Sequence, residues 1–325
     1  MSTISRRGAL TGLAAAAAAL VQRRTSAMTT ASQPATAVAF PVPADACDCH
    51  THVFGDAREF PMAPGRTYTP EPASAAELTR LHRALHLARV VIVQPSVYGT
   101  DNACTIHALR QLGGRARGVA VIDERTTEAS LDEMHGAGVR GIRVNLATVG
   151  QTDPTIGRQR LRIAIERAKK RGWHIQVYTQ PSVIAALAAD VREAGVPVVF
   201  DHFGGAQAAD GTGGPGFDAL VRLVASAHAY VKLSAPYRSS TQAPDYSDLT
   251  PLARALIAAN PRRVLWGTDW PHPNSSPPPD RKITDVTKLF AIDDGRVLNQ
   301  LAVWSPDAAE RTLTLVDNPA RLYGF

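Results

Sequence analysis

The chain has 325 residues, 45% of them apolar and 20% charged, enough to bury the core of one large domain or two small ones and too apolar to stay disordered. Its three cysteines are too few for a disulfide scaffold, and no stretch reaches the roughly 18 to 20 consecutive apolar residues that span a bilayer. The formal charge of +6 is concentrated at the front: Arg6, Arg7, Arg23 and Arg24 precede residue 28 without an acid among them, and the remainder carries 31 basic against 29 acidic residues. Beyond that leader no Lys/Arg block interleaved with aromatics occurs, which argues against a nucleic-acid partner and for a small anionic one.

The leader reads Ser5-Arg6-Arg7-Gly8-Ala9-Leu10, followed by an uncharged, mostly alanine stretch to Gln22, and is similar to a twin-arginine export signal. Small-residue cleavage sites follow at Thr25-Ser26-Ala27 and Ala35-Thr36-Ala37. Residues 1–37 are therefore expected to be a leader read by the twin-arginine export machinery, which places the mature protein in the periplasm or outside the cell. Residues 38–325 are expected to form one folded domain.

From residue 46 onward, short β-branched runs alternate with longer amphipathic patterns, the signature of successive βα units. The predicted strands are Ala46 to His52, Arg89 to Gln94, Arg117 to Ile122, Val139 to Asn145, His174 to Tyr178, Val198 to His202, Tyr230 to Ser234 and Val264 to Trp266. Helical patterns cover Ala75 to Leu87, Thr155 to Arg171, Pro181 to Ala194 and Leu249 to Ala259, and Ser74 with Glu77 predicts a capping box. Eight such units match a (β/α)8 barrel of the TIM type, for which roughly 250 residues is usual. A doubly wound open sheet is the alternative, but no G-x-G-x-x-G follows the first strand. The Gly-rich loop Gly204 to Gly216 and the proline-rich loop Pro271 to Pro279 read as connectors, since a phosphate cradle needs a Walker-type lysine.

Active sites of such barrels lie at the C-terminal strand ends. The first strand ends Asp48-Cys49-His50-Thr51-His52, and simple alternation puts His50 and His52 toward the barrel axis, with Cys47, Cys49 and Thr51 on the opposite face under the helices. The shared face strains a disulfide between Cys47 and Cys49. Two histidines at i and i+2 on a strand end point to ligands or catalysts rather than core residues. The sixth strand ends Phe200-Asp201-His202, and the eighth runs into Gly267-Thr268-Asp269-Trp270-Pro271-His272. Imidazoles and a carboxylate at one mouth suit either a divalent metal or general acid/base chemistry. His202 and Asp269 are the functional candidates of these segments, whereas Asp201 and His272 are as readily structural.

The H-x-H of the first strand, the D-H-x-G of the sixth and the W-G-T-D-W-P-H of the eighth resemble the amidohydrolase superfamily, metal-dependent hydrolases in the main. The branch most similar is that of 2-pyrone-4,6-dicarboxylate lactonase, supported by His52-Val53-Phe54-Gly55, Val91-Ile92-Val93-Gln94, Gly99-Thr100-Asp101-Asn102, Arg140-Gly141-Ile142-Arg143 and Asn318-Pro319-Ala320-Arg321-Leu322-Tyr323. The resemblance runs from about Asp48 to Tyr323 and implies hydrolysis of a carboxylate-bearing lactone, with a pyrone dicarboxylate, a muconolactone or a sugar-acid lactone as the substrate class. It implies that Asp269 takes the proton of the attacking water and that His50, His52 and His202 surround the lactone carbonyl. It further implies that Arg143, Tyr178 and Arg238 bind substrate carboxylates, with Tyr68 and Ser96 as polar contacts and Tyr98 standing close to the site.

Metal-using members generally carry a histidine at the end of strand five, and many binuclear ones a lysine at strand four. Here those strands end in Tyr178 and offer Arg143 and Asn145. No cofactor is therefore expected; the alternative is a single Zn or Mn held by His50, His52, His202 and Asp269. The branch also has arginines in the segment after strand four and after D-H-x-G, where this chain reads Asn145-Leu146-Ala147-Thr148-Val149 and Gly204-Gly205-Ala206. A second carboxylate would lose a bidentate partner there, so the substrate is expected to carry one carboxylate, with a sulfonate or hydroxyls in place of another. A metal-dependent decarboxylase or hydratase, or a lactone isomerase using Asp269 as a base on carbon, is the enzymatic alternative. An exported acid-binding protein is a remote one, because solute-binding proteins usually have two lobes.

Overall fold

The computed structural model describes residues 31–276 and 280–325; the twin-arginine motif, with the rest of residues 1–30, lies outside the described residues. Eight parallel strands follow one another in chain order: β1 (Cys47–Thr51), β2 (Arg89–Val93), β3 (Ala116–Ala120), β4 (Val139–Asn145), β5 (His174–Tyr178), β6 (Val198–Phe200), β7 (Ala229–Ser234) and β8 (Val264–Gly267). All eight predicted strands are present. The seam between β8 and β1 is closed beyond the strand ends: Asp269 N donates to His50 O at 2.8 Å, His52 N donates to Trp270 O at 2.7 Å, and Thr51 bridges Trp270. A nearly closed (β/α)8 barrel results.

Between the strands run α1 (Ala75–Ala84), α2 (Ala103–Leu112), α3 (Glu128–Gly136), α4 (Pro154–Lys169), α5 (Pro181–Arg192), α6 (Pro215–Ala225) and α7 (Thr250–Ala259). The helix α8 (Asp294–Trp304) follows β8, and two short helices, α9 (Ala308–Thr312) and α10 (Asn318–Tyr323), end the chain. The predicted capping box holds, with Glu77 N donating to Ser74 Oγ at 3.2 Å and Ser74 N to Glu77 Oε2 at 2.8 Å. Among the described residues no helix is long and apolar enough to cross a membrane.

Two apolar shells divide the strand residues by parity. Outward residues such as Val90, Ile92, Ile142, Val144, Ile175, Val177, Val231, Leu233 and Trp266 meet the helices in the main core. A second cluster comprises Cys47, Cys49, Val91, Val93, Val119, Val199, Tyr230 and Leu265, with Tyr323 of α10 against them. This cluster is the barrel interior, and Tyr323 closes its N-terminal end, packed edge-on to His174 at a 5.1 Å centroid distance. The two thiols therefore face the axis, not the helices as alternation predicts. The physical reason is a β-bulge. Asp48 pairs with Val90 and Thr51 with Ile92, so β1 carries one residue more than β2 over this stretch. Cys49 and His50 consequently both turn inward, after which the alternation resumes with Thr51 out and His52 in. Cys47, Cys49 and Cys104 are all free thiols.

Residues 31–37, assigned to the leader by the sequence reading, lie on the barrel: Trp270 Nε1 donates to Ser32 O at 3.0 Å, Thr36 N donates to Asp293 Oδ1 at 3.2 Å, and Ala31 is buried.

Candidate active site

Strand ends and the loops after them deliver the polar groups to one mouth. Gly267 at the end of β8 allows the approach, because a Cβ there would lie 2.7 Å from His50 N. His202 and Asp269 adopt left-handed backbone conformations, with φ of 49° and 65°. Non-glycine residues hold such angles at a cost of about 1–3 kcal/mol, a strain that concentrates at functional sites. It also explains why the sixth strand stops at Phe200 instead of reaching His202.

Asp269 is the hub. Its Oδ2 accepts from Tyr237 Oη at 2.6 Å and from Arg238 Nε at 2.9 Å. Its Oδ1 faces three imidazoles: His52 Nε2 at 3.3 Å, His50 Nε2 at 3.4 Å and His202 Nε2 at 3.9 Å. Burial opposes ionisation of Asp269, but Arg238 and the neighbouring histidines outweigh it and hold the carboxyl well below the usual range. The aspartate is thus an anion with one oxygen fixed and one presented to the pocket.

The second nitrogens of the histidines set their polarity. His52 Nδ1 lies 2.7 Å from Val93 O, a carbonyl that only accepts, so the Nδ1 proton is committed and a neutral His52 presents a lone pair at Nε2. His202 Nδ1 meets the Ser234 hydroxyl at 2.8 Å. Burial lowers the pKa of His202 and takes that of His50 to about 3, so both rings are neutral at physiological pH.

A narrow pocket opens above these groups, lined among others by Tyr68, Ser96, Arg143, Thr148, Tyr178 and Arg238. Burial pushes the Tyr68 phenol up to about 12, which keeps it a neutral donor beside Ser96. Arg143 stands over the Tyr178 ring, with its guanidinium carbon 5.6 Å from the centroid, and Tyr178 packs edge-on to His202 at 4.9 Å. Arg238 also donates Nη2 to Pro273 O at 2.9 Å. A larger groove bounded by Ile142, Val144, Ile163 and Ala164 lies on the helix-facing side of β4 and gathers none of the histidines.

The structure thus brings together Asp269, His50, His52, His202, Arg143, Tyr178, Arg238, Tyr68 and Ser96. It does not bring Tyr98, whose buried hydroxyl accepts from Gly55 N at 3.0 Å and sits against Cys104. The loop after β2 turns this phenol into the wall behind the site, so Tyr98 is a structural residue there. His272 also points elsewhere, paired through Nε2 with Asp294 Oδ2 at 3.0 Å in the base of α8. Asp201, by contrast, lies in the interior beneath the site. Its Oδ2 accepts from Gln176 Nε2 at 3.1 Å and Arg143 Nη2 at 3.4 Å.

Sequence reasoning missed Tyr237, Ser234, Gln176 and Lys232. The last was detectable: Tyr230, Lys232 and Ser234 share a parity, and a lysine inside an otherwise apolar strand run has to be paired.

His50, His202 and Asp269 each offer a donor atom within 4.8 Å of the others, so the set suits a single divalent ion in kind and spacing. Charge opposes it. Arg238 occupies Asp269, while Arg143 and Lys232 lie 3.4 and 3.5 Å from Asp201, so three fixed cations already face two carboxylates. An ion held by His50, His52, His202 and Asp269 would supply a Lewis acid for the carbonyl, while adding two further charges to a site already positive.

A parallel barrel with histidines at the end of its first strand and just after its sixth, and an aspartate after its eighth, defines an amidohydrolase-type enzyme. The amidohydrolase family model (Amidohydro_2) matches residues 47–325, and the chain belongs to that family. It is 36% identical to a 2-pyrone-4,6-dicarboxylate hydrolase of Comamonas testosteroni over 293 residues, covering 87% of this chain and 92% of that protein. It is 33% identical to a 4-sulfomuconolactone hydrolase of Hydrogenophaga intermedia, over 88% of this chain and 90% of the relative. Among solved structures, a putative 2-pyrone-4,6-dicarboxylic acid hydrolase from Pseudomonas putida superposes with a TM-score of 0.71 at 31% identity, covering 88% of this chain and 98% of its own.

Proposed function

We propose that the chain is a lactone hydrolase that opens a ring ester bearing an acid group, without a metal, by attack of a water activated by Asp269. The observation that carries this reading is the asymmetry of Asp269: Tyr237 and Arg238 hold Oδ2, and Oδ1 alone faces the pocket. His52 Nε2 and Asp269 Oδ1, 3.3 Å apart, form one acceptor edge for the water. The water oxygen bonds to the carbonyl carbon as Asp269 takes its proton. The carbonyl oxygen becomes an oxyanion beside His202 and His50, where preorganised donors in a water-poor site favour the developing charge. The ring C–O bond then breaks, and Asp269 returns the proton to the departing oxygen, giving the open hydroxy acid or its keto form.

The acid group of the substrate is assigned to Arg143 and Arg238. Part of each guanidinium fork is already bound to the protein, Arg143 to Gln94 O and Asp201 and Arg238 to Asp269 and Pro273 O. This supports recognition of one acid group, with the hydroxyls of Ser96, Thr148 and Ser275 lining the rest of the pocket. The similarity to a 2-pyrone-4,6-dicarboxylate hydrolase and a 4-sulfomuconolactone hydrolase makes those two lactones the first probes.

The test is turnover of both lactones by purified protein before and after chelation, with bound metal quantified and products identified. Ring opening that survives chelation at substoichiometric metal is expected. Activity lost with the chelator and restored by zinc or manganese would replace this mechanism with a metal-dependent one, and an isomerised lactone as product would replace hydrolysis with isomerisation.

The twin-arginine leader supports export to the periplasm. Cleavage after Thr25-Ser26-Ala27 keeps the Ser32 and Thr36 contacts with the barrel, whereas cleavage after Ala35-Thr36-Ala37 removes them. N-terminal sequencing of the secreted protein decides between the two.

A further inference from the structure

Lys232 is a fully buried ammonium inside the barrel, below the pocket and out of reach of any substrate in it. Its Nζ hydrogen-bonds Gln176 Oε1 at 2.6 Å and His50 Nδ1 at 3.3 Å, and stands 3.5 Å from Asp201 Oδ1 as an ion pair. We propose that Lys232 is a positioning residue that sets the tautomer of His50, keeping the ring proton on Nε2 so that His50 donates to the lactone oxyanion. The proposal rests on the metal-free lactonase reading of the site.

The competing partner for His50 Nδ1 is Asp201, whose Oδ1 lies 3.2 Å away. A carboxylate in that place ordinarily captures an Nδ1 proton and leaves Nε2 as a lone pair, the form that ligates metals. The orientation here is different. Asp201 Oδ1 makes no hydrogen bond to the ring, whereas Lys232 Nζ lies within hydrogen-bond reach of Nδ1. Gln176 fixes this arrangement: its amide nitrogen is engaged by Asp201 Oδ2, which turns its carbonyl oxygen to Lys232. A neutral imidazole has one proton, so an Nδ1 that accepts leaves Nε2 as the donor.

Nε2 of His50 has no hydrogen-bond partner among the described residues and lies 3.4 Å from Oδ1 of Asp269, a residue that lines the pocket. A buried donor without a partner is costly, and the oxyanion of the transition state is the group that satisfies it. His50 and His52, with ring centroids 5.1 Å apart, thus have opposite polarity: His52, tied to Val93 O, faces the water as an acceptor, and His50, tied to Lys232, faces the carbonyl as a donor.

The test is a long-range ¹H–¹⁵N correlation spectrum of the substrate-free protein labelled in histidine, with the His50 signals assigned from a His50→Gln sample. The expected result is a pyrrole-like Nε2 and a pyridine-like Nδ1; a protonated Nδ1 would overturn the proposal. Lys232→Met should shift His50 toward the Nδ1–H form and lower kcat by about 100-fold while KM stays within roughly threefold. An unchanged spectrum in folded Lys232→Met would also overturn it. If that variant does not fold, Asp201→Asn asks the question from the other side: with Lys232 in place the Nε2–H form should persist, and its loss would assign the tautomer to Asp201. Because the spectrum needs no substrate, the expected tautomer in a protein that opens neither lactone would sink the proposed reaction and leave the role of Lys232 standing.

Discussion

Replacing Asp269 with asparagine removes the base while keeping the size and shape of the side chain. The amide oxygen of the new side chain can still accept from Tyr237 and Arg238 at the 2.6 and 2.9 Å positions, and its NH2 group then occupies the place of Oδ1, facing the His52 lone pair. The shape of the pocket is therefore kept, while the proton acceptor for the water becomes a donor. Loss of a positioned general base costs about 10²- to 10⁴-fold, and the inverted polarity at Oδ1 puts the expectation at about 10³-fold in kcat, equivalent to ~4 kcal/mol of transition-state stabilisation. Binding of the unreacted lactone should remain within about tenfold of wild type, since the acid group is held by Arg143 and the other face of Arg238. One stability cost is built in: an interior that balanced three cations against two carboxylates loses one carboxylate, and breaking a buried pair costs about 3–5 kcal/mol. The assay is initial-rate hydrolysis of 2-pyrone-4,6-dicarboxylate alongside calorimetric titration of the same lactone, on protein whose mass excludes deamidation back to aspartate. A variant that kept more than about a tenth of the wild-type kcat would refute the assignment of Asp269 as the base.

Arg238→Met should lower kcat as well as raise KM, because the lost Nε contact frees Asp269 Oδ2; an effect on KM alone would show that the guanidinium serves only the substrate. Tyr98→Phe should leave KM and kcat unchanged and cost about 1 kcal/mol in denaturant unfolding, through the lost bond from Gly55 N; a raised KM would return Tyr98 to the pocket. The pH dependence of stability has a definite sign. Burial lowers His50 and His174 to about 3 and also lowers His202, so these rings stay neutral in the fold while the unfolded chain protonates them near 6.5. The unfolded state then binds more protons as pH falls from about 6.5 toward 3, and each ring removes up to ~1.4 kcal/mol of stability per pH unit in that window. Thermal melts at pH 7.5 and 5.5 should differ steeply, and a flat profile would mean that the three rings are charged in the native state.

The barrel was legible because its signal is periodic and local. Short apolar, often β-branched runs alternate with longer amphipathic patterns, and the C-terminal strand ends follow from that alternation. His50, His52, His202 and Asp269 were legible for the same reason, as polar residues placed where a barrel opens. The bulge in β1 was not. An extra residue in one strand is defined against its neighbour, so the inward turn of Cys47 and Cys49 cannot be seen in the alternation of β1 alone. Tyr98 was misplaced because nearness in sequence to Ser96 says nothing about which way a phenol turns after a 3₁₀ turn. Tyr237 and Gln176 matter through what they hold rather than through any motif, and such partners become visible only once the strands are side by side. The sequence boundary at residue 37 followed a processing signal, whereas the contacts of residues 31–37 follow the shape of the loop after β8.

The closure of the barrel floor by Tyr323 bears on how the protein folds. The first barrel strand carries Cys47 and Cys49, and the side chain that covers them, Tyr323, lies in a helix that follows the eighth strand in sequence. Contacts so far apart in sequence form late, because the loop between them must be ordered first. Until α10 docks the thiols have no cover from their final partner, and the interior is sealed only by that contact. That late contact leaves Cys47 and Cys49 as the last interior groups to lose contact with water, and once it forms both stay buried as free thiols.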